Sequence, residues 1–153
     1  RELQQDVVAA SRVGGGLFRL NDKLGLLAML ESLLGHHPEA RSLLEEMRAI
    51  HRRLRDRSGL AGGLQIAGLV ANGEGDYETT ALGAGAIQGM RDEGARMLVP
   101  SDTLDFPDPA VEARAQLGER YDELFEAGRA MDPEEVFLGE YSASSARSNA
   151  SGG

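Results

Sequence analysis

The apolar residues of this chain recur at helical spacing, and no stretch alternates apolar and polar residues over the length of a strand. The clearest segment runs from residue 38 to residue 55, and its apolar residues follow one another at intervals of four, three and four: Leu43, Met47, Ile50 and Leu54. Arginine and glutamate occupy the opposite side, so the segment has the pattern of an amphipathic helix with one buried face. The sequence therefore predicts an all-α fold.

Two pairs of helices are predicted along the first two thirds of the chain. Segments 24–34 and 60–71 each precede a short turn that contains glycine, and a new helix starts after each turn. Placing Glu39 over Glu78 relates the two pairs by a period of about 39 residues. Paired helices at such a period are typical of stacked antiparallel hairpins in an α-solenoid, whose units bury their apolar faces against one another.

The last third of the chain departs from this repeat. Asp108 and Asp132 are each followed by proline, which suits an N-cap residue and the first position of a helix. We expect one break in the helical pattern at Gly118 and a second at Gly128 and Arg129. These signals predict short helices that close the repeat array.

The predicted elements divide the chain into four parts. Residues 1–20 are expected to be the remnant of a preceding hairpin, separated from the rest by a run of three glycines. Residues 21–98 hold repeats of the tetratricopeptide type in this interpretation, and residues 99–141 hold the capping helices. Residues 142–153 read SASSARSNASGG, which offers too little apolar surface to order itself, so a disordered tail is predicted.

Composition narrows the classes of partner. The net charge of −9 argues against binding nucleic acid or an anionic membrane through the overall field of the domain. The absence of cysteine excludes disulfides, thiolate metal sites and cysteine nucleophiles. No apolar run approaches the roughly 20 residues that span a bilayer, and no signal peptide is recognisable. We therefore expect a cytoplasmic protein whose partner is a protein or a small molecule.

One cluster of positive charge is a candidate contact surface. Guanidinium groups hold phosphates and carboxylates through paired hydrogen bonds, so arginines at a helix end could bind an acidic partner. The alternative is that these cations complement the helix dipole, with Glu45 pairing with the first of them. The four arginines lie in the second half and at the end of the 38–55 segment: Arg48, Arg52, Arg53 and Arg55.

Other polar residues point to no reaction. His36, His37 and His51 do not converge on one helix face, so we expect an ordinary turn and a surface histidine rather than a metal site. The adjacent carboxylates Glu45 and Glu46 point roughly 100° apart on a helix and cannot both face one substrate. The sequence therefore predicts a non-enzymatic chain without metal or cofactor.

The end of the chain resembles a known family of regulators. The motifs are LGE at residues 117–119, FEAGRAM at 125–131 and EEV at 134–136. They resemble the closing segment of the helical-repeat arm in large bacterial regulators. These are the LuxR-type and MalT-like transcription factors and the related adenylate-cyclase-type proteins, which join an ATPase module to tetratricopeptide-like repeats. The middle segments GHHPEARSLLEEM and GDYETTALGAGAI are similar to the repeats of the same arms, and the resemblance covers residues 22–141.

The resemblance implies a function but also has gaps. It implies a protein-interaction or ligand-sensing module of a multidomain regulator of signal transduction or transcription. The partner of such a module is a protein, an upstream ATPase or effector domain of the same chain, or a small-molecule inducer. The chain carries neither the helix-turn-helix that follows such arms in LuxR-type proteins nor the GxxxxGK[ST] motif of the ATPase. A free-standing interaction scaffold is the alternative, and a small helical enzyme is a third interpretation.

Overall fold

The computed structural model describes residues 16–55, 57, 59–95 and 108–140, and the regular structure of these residues is entirely helical. The predicted all-α fold is therefore confirmed. The chain forms two compact units, Arg1–Arg55 and Asp56–Gly153. The described residues form seven helices: α1 (Gly16–Leu33), α2 (His37–Leu54), α3 (Leu60–Gly73), α4 (Tyr77–Asp92), α5 (Pro109–Leu117), α6 (Glu119–Ala130) and α7 (Pro133–Leu138).

Several predicted segments lie outside the described residues. They are most of the predicted hairpin remnant at 1–20 with its glycine run, the first part of the capping segment, at 99–107, and the tail at 142–153. The boundary predicted between residues 20 and 21 falls inside α1, which begins at Gly16. The division between the two units falls between α2 and α3. Each of the two predicted helix pairs therefore lies within a single unit.

The first unit contains the hairpin of α1 and α2. The predicted stripe of α2 is buried at Leu43, Met47 and Ile50, and it packs with a buried face of α1. Leu20, Leu24 and Ala28 form that face at intervals of four residues, which is the spacing of one helix side. Burial of these two stripes against each other holds the hairpin together, since apolar area removed from water contributes roughly 25 cal/mol per Å².

The turn between paired helices has the same geometry in both hairpins. After α1, Gly35 has φ of 82°, its N–H donates to the Ser32 carbonyl at 3.1 Å, and the His36 N–H donates to the Glu31 carbonyl at 2.8 Å. Gly75 and Asp76 make the same two bonds after α3. This is the Schellman ending, which needs a left-handed residue and so favours glycine.

These turns correct the predicted repeat period. Gly35 and Gly75 lie 40 positions apart, so the alignment of Glu39 with Glu78 is off by one residue. The 40-residue alignment places buried Ala28 over buried Gly68. It also places Ala40 over Thr80, and both of these are buried. The error arose because acidic residues recur in the first turn of many helices and mark a register poorly.

The second unit is built around α4. The α3–α4 hairpin packs with α6 mainly through α4, and α7 lies against both helices of the hairpin. A methyl group placed at Gly63 of α3 would lie 2.8 Å from a ring carbon of Phe137, so α7 sits directly on that glycine. The absence of a side chain at Gly63 is what allows α7 to approach α3 this closely.

Glycine also lets α4 and α6 approach backbone to backbone. A methyl group at Gly85 would collide with the carbonyl of Phe125, and one at Gly89 would lie 2.6 Å from the carbonyl oxygen of Arg129. On α6, a methyl group at Gly128 would collide with the carbonyl of Leu82. Contact at this distance is available only to residues without a side chain.

The predicted break at Gly128 and Arg129 is wrong for this reason. Helix α6 continues through both residues to Ala130, and the chain leaves the helix at Met131. Gly128 has a low helix propensity, but the close contact with α4 stabilises it inside the helix. The break predicted at Gly118 is confirmed, because this residue has φ of 58° and separates α5 from α6.

The predicted N-caps are confirmed. The carboxylates of Asp108 and Asp132 accept hydrogen bonds from the N–H groups of Ala110 and Glu134, each at 2.9 Å. Asp76 accepts from the Thr79 N–H at 3.2 Å. Each cap satisfies a backbone donor that the first turn of a helix leaves without a partner.

Candidate functional site

The basic cluster predicted at the end of α2 divides into a buried residue and three exposed ones. Arg48 is only 9% exposed, and its guanidinium donates to the carboxylate of Glu45 at 2.6 Å. Arg41 approaches the same carboxylate at 3.5 Å, so Glu45 lies between two cations. The predicted pairing of Glu45 with Arg48 is therefore present, and Arg48 offers little surface to a partner.

The other three arginines surround the C-terminal end of α2. Arg52 and Arg53 are exposed in its last turn, and Arg55 follows the helix in the left-handed conformation with φ of 51°. The Arg55 N–H donates to the His51 carbonyl at 2.7 Å, which closes the helix. Left-handed backbone costs a non-glycine residue roughly 1–2 kcal/mol, so this ending directs an arginine to the surface at a measurable cost.

The electrostatics of this helix end favour cations for a structural reason. The last carbonyl groups of a helix carry a partial negative charge, which stabilises nearby guanidinium groups. The same negative end weakens the attraction of the cluster for an anion. This effect applies equally to a phosphate and to the carboxylates of an acidic protein surface, so it does not distinguish between these two kinds of partner.

The histidine in the turn lies where it was predicted, whereas the histidine within α2 does not. His51 is buried, with 7% of its surface exposed, so the expectation of a surface histidine at this position is wrong. Its place on the inner side of α2 follows from its spacing of four residues from Met47, which helix geometry puts on the same face. His36 is exposed in the turn, where its Nδ1 lies 2.7 Å from the Glu31 carboxylate. Among the described residues, no group of three or more histidine, aspartate or glutamate side chains is arranged to hold a metal ion.

An ion pair joins α4 and α6 beside their glycine contact. The Nε of Arg129 donates to the carboxylate of Asp92 at 2.5 Å. Hydrogen bonds from Gln88 and from Arg129 lower the pKa of Asp92, and the bond to Asp92 raises the pKa of Arg129. Both side chains are well exposed, so the pair adds an orienting contact to the helix interface and contributes little stability.

An apolar face on α1 was missed from the sequence. Five leucines on α1 and in the turn that follows are between 42% and 67% exposed, and they occupy one side of the helix: Leu26, Leu27, Leu30, Leu33 and Leu34. We call this surface the leucine face. The signal was available, because α1 carries leucine on the side that packs against α2 and also on this side. An ordinary amphipathic surface helix carries apolar residues on only one side.

Comparisons with known protein families, curated proteins and solved structures gave no match. None of the helices in the described ranges combines the length and the apolar character that crossing a membrane requires. Two exposed surfaces of the described residues are candidates for contact with a partner: the arginines at the end of α2 and the leucine face of α1.

Proposed function

We propose that this chain is a non-enzymatic helical-repeat module that binds a protein or senses a ligand within a multidomain bacterial regulator of signal transduction or transcription. The observation that carries the proposal is the recurrence of one hairpin unit at a 40-residue spacing, with the same two turn hydrogen bonds each time. The resemblance of residues 117–136 to the closing segment of such regulator arms supports the choice of parent protein.

The proposed mechanism follows from how repeat proteins present surface. Hairpins of this kind offer long helix faces rather than an enclosed pocket, which suits binding to another protein. A partner that binds one state of the parent regulator more tightly shifts its population toward that state by the difference in binding free energy. The chain then acts in the cytoplasm as a docking arm for an ATPase or effector domain encoded upstream, with no nucleic acid or membrane contact of its own.

The contact surface in this proposal is the exposed part of the basic cluster. Arg52, Arg53 and Arg55 would meet acidic side chains of the partner domain, where guanidinium groups pair with carboxylates in a fixed geometry. Arg48 would position Glu45 rather than touch the partner, because its guanidinium is already paired and nearly buried. Electrostatic contacts of this kind mainly set the association rate and the choice of partner.

The first test is the gene. The proposal requires the reading frame that encodes this chain to encode also a nucleotide-binding domain with the GxxxxGK[ST] motif. If the complete frame encodes no such domain, the chain is a free-standing scaffold instead. Turnover of a substrate by the purified chain would overturn the non-enzymatic assignment and favour the small helical enzyme.

The second test measures binding. Isothermal titration of the upstream domain with this chain should give saturable binding, and the double variant Arg52→Glu, Arg53→Glu should weaken it about tenfold or more because of charge repulsion. The control is the double variant Arg91→Glu, Arg114→Glu, which changes the charge equally at exposed positions outside the cluster and outside α1. Equal losses in both variants would show that only net charge matters and would remove the cluster from the site.

A further inference from the structure

The leucine face is about as large as the largest apolar patch that a soluble monomer usually exposes, and patches of this size are often functional. Taking roughly 180 Å² for a fully exposed leucine, its five residues present about 400 Å², which is comparable to the largest apolar patch on a typical soluble monomer. Among the side chains that the structure describes, Val111 is the one other exposed large apolar residue, and it stands alone on α5. Contiguous leucine of this extent on one helix marks an interaction surface.

The spacing of the leucine face is that of a helix partner. Leu27, Leu30 and Leu34 follow one another at intervals of three and four residues, and Leu26 and Leu33 flank them. Intervals of three and four place side chains in one seam along a helix, where they can insert between the side chains of a facing helix. The surface therefore fits a second apolar helix better than a flat sheet or an irregular loop.

Charge on the helix that carries the leucine face is balanced. The chain has a net charge of −9, but α1 itself carries two basic residues, Arg19 and Lys23, and two acidic ones, Asp22 and Glu31. The face is therefore locally neutral on a strongly acidic chain. A second copy of this chain can meet it there without concentrated repulsion, whereas a strongly basic or acidic partner gains nothing from the contact.

We propose that the leucine face binds the leucine face of a second copy of this chain, with the two α1 helices antiparallel and related by a two-fold axis near Leu30. Such an interface uses the same patch on both copies. The two-fold axis brings Lys23 of one copy level with the start of α2 of the other, where Glu39 is exposed in the first turn. This inference goes beyond the proposed function and does not depend on it.

The area of the interface is that of a small, reversible contact. Two leucine faces together bury about 800 Å² of leucine surface, and the aliphatic stems of Arg19 and Lys23 add more, so the total lies near the roughly 1,000 Å² that separates weak from stable interfaces. Interfaces of this size are typical of weak, reversible contacts, so we expect the dimer to form in the micromolar range of protein concentration.

Sedimentation velocity of the full chain tests the association. Between about 5 and 500 µM, the weight-average sedimentation coefficient should rise from the monomer value toward the dimer value. The double variant Leu26→Lys, Leu30→Lys should remain monomeric over the same range, since lysine at the centre of the seam leaves charges buried and unpaired. Val111→Lys is the matched control and should dimerise like the unchanged protein, and circular dichroism should show equal helix content in all three.

Disulfide trapping tests the orientation, because the chain contains no cysteine of its own. In an antiparallel pair centred at Leu30, Leu30→Cys should crosslink to itself under mild oxidation, and a mixture of Leu26→Cys and Leu34→Cys chains should form the mixed dimer. Leu26→Cys alone should not crosslink, since four residues on each side of the axis separate the two sulfurs by about 12 Å along the helix. Wild-type protein that stays monomeric throughout, or efficient crosslinking of Leu26→Cys to itself, would overturn the proposal.

Discussion

At the scale of single residues, the glycines of the second unit have different roles, although the sequence alone does not distinguish one glycine from another. Gly85 and Gly128 lie where α4 and α6 touch through their backbones, and no side chain fits at either position. Gly83 lies two residues away on α4, where a methyl group would make ordinary contact at 3.6 Å with the Leu64 carbonyl. The two cases differ because the Cα atoms of Gly85 and Gly128 face the backbone of the opposing helix at very short distance, whereas the Cα atom of Gly83 has room in front of it.

This difference predicts opposite effects of the same substitution. Gly85→Ala should lower the free energy of unfolding by about 3 kcal/mol, because α4 and α6 must separate to admit the methyl group. Gly83→Ala should raise it by up to about 1 kcal/mol, because alanine has the higher helix propensity and space is available. Urea denaturation followed by circular dichroism measures both. Equal and small effects of the two variants would mean that the helices are not in close contact.

At the scale of elements, the two hairpin turns are built alike but capped differently. His36 and Asp76 are equivalent in the 40-residue alignment and have nearly the same backbone angles, with φ and ψ of −86° and 65° against −90° and 74°. Asp76 caps α4 with its carboxylate and also accepts from the Thr79 hydroxyl at 2.6 Å. The His36 side chain makes no cap bond to α2.

The missing cap can be installed. His36→Asn should stabilise the first hairpin by about 0.5 kcal/mol, since asparagine is among the best N-cap residues and the backbone is already in place. Part of the gain from the cap is offset by loss of the contact between His36 and Glu31. As the reciprocal change, Asp76→Ala should destabilise the second unit by about 1 kcal/mol. Thermal melting with both variants checks the pair, and destabilisation by His36→Asn would show that the contact with Glu31 outweighs a cap.

At the scale of the whole molecule, the two compact units are expected to differ in stability. The second unit has five described helices that share one core around α4, while the described part of the first unit has two helices and the exposed leucine face. Small units bury a smaller fraction of their surface and are harder to stabilise alone. The second unit therefore holds most of the stabilising burial.

Separate expression of the units tests this division. Residues 56–153 should unfold cooperatively on their own, with a urea midpoint close to that of the matching transition in the full chain. Residues 1–55 should be partly helical and should gain helix with increasing concentration, because a second copy covers the leucine face. A non-cooperative melt of residues 56–153 would contradict the assignment of an independent core.

The sequence by itself determined the features that depend on neighbours within one turn of helix. The all-α class follows from the spacing of apolar residues, and the caps at Asp108 and Asp132 follow from local hydrogen bonding. Glycine at position 118 ended a helix as predicted, since the left-handed conformation there is a property of that residue's own backbone.

Only the tertiary structure decided the features that depend on what lies across an interface. Gly128 has the propensity of a helix breaker, but its contact with α4 keeps it helical. The burial of Arg48 and His51 and the exposure of the leucine face depend on which side of a helix another helix covers. Periodicity identifies an apolar side, but it does not say which apolar side of α1 receives a partner. Packing supplies that choice, because it compares surfaces far apart in the chain.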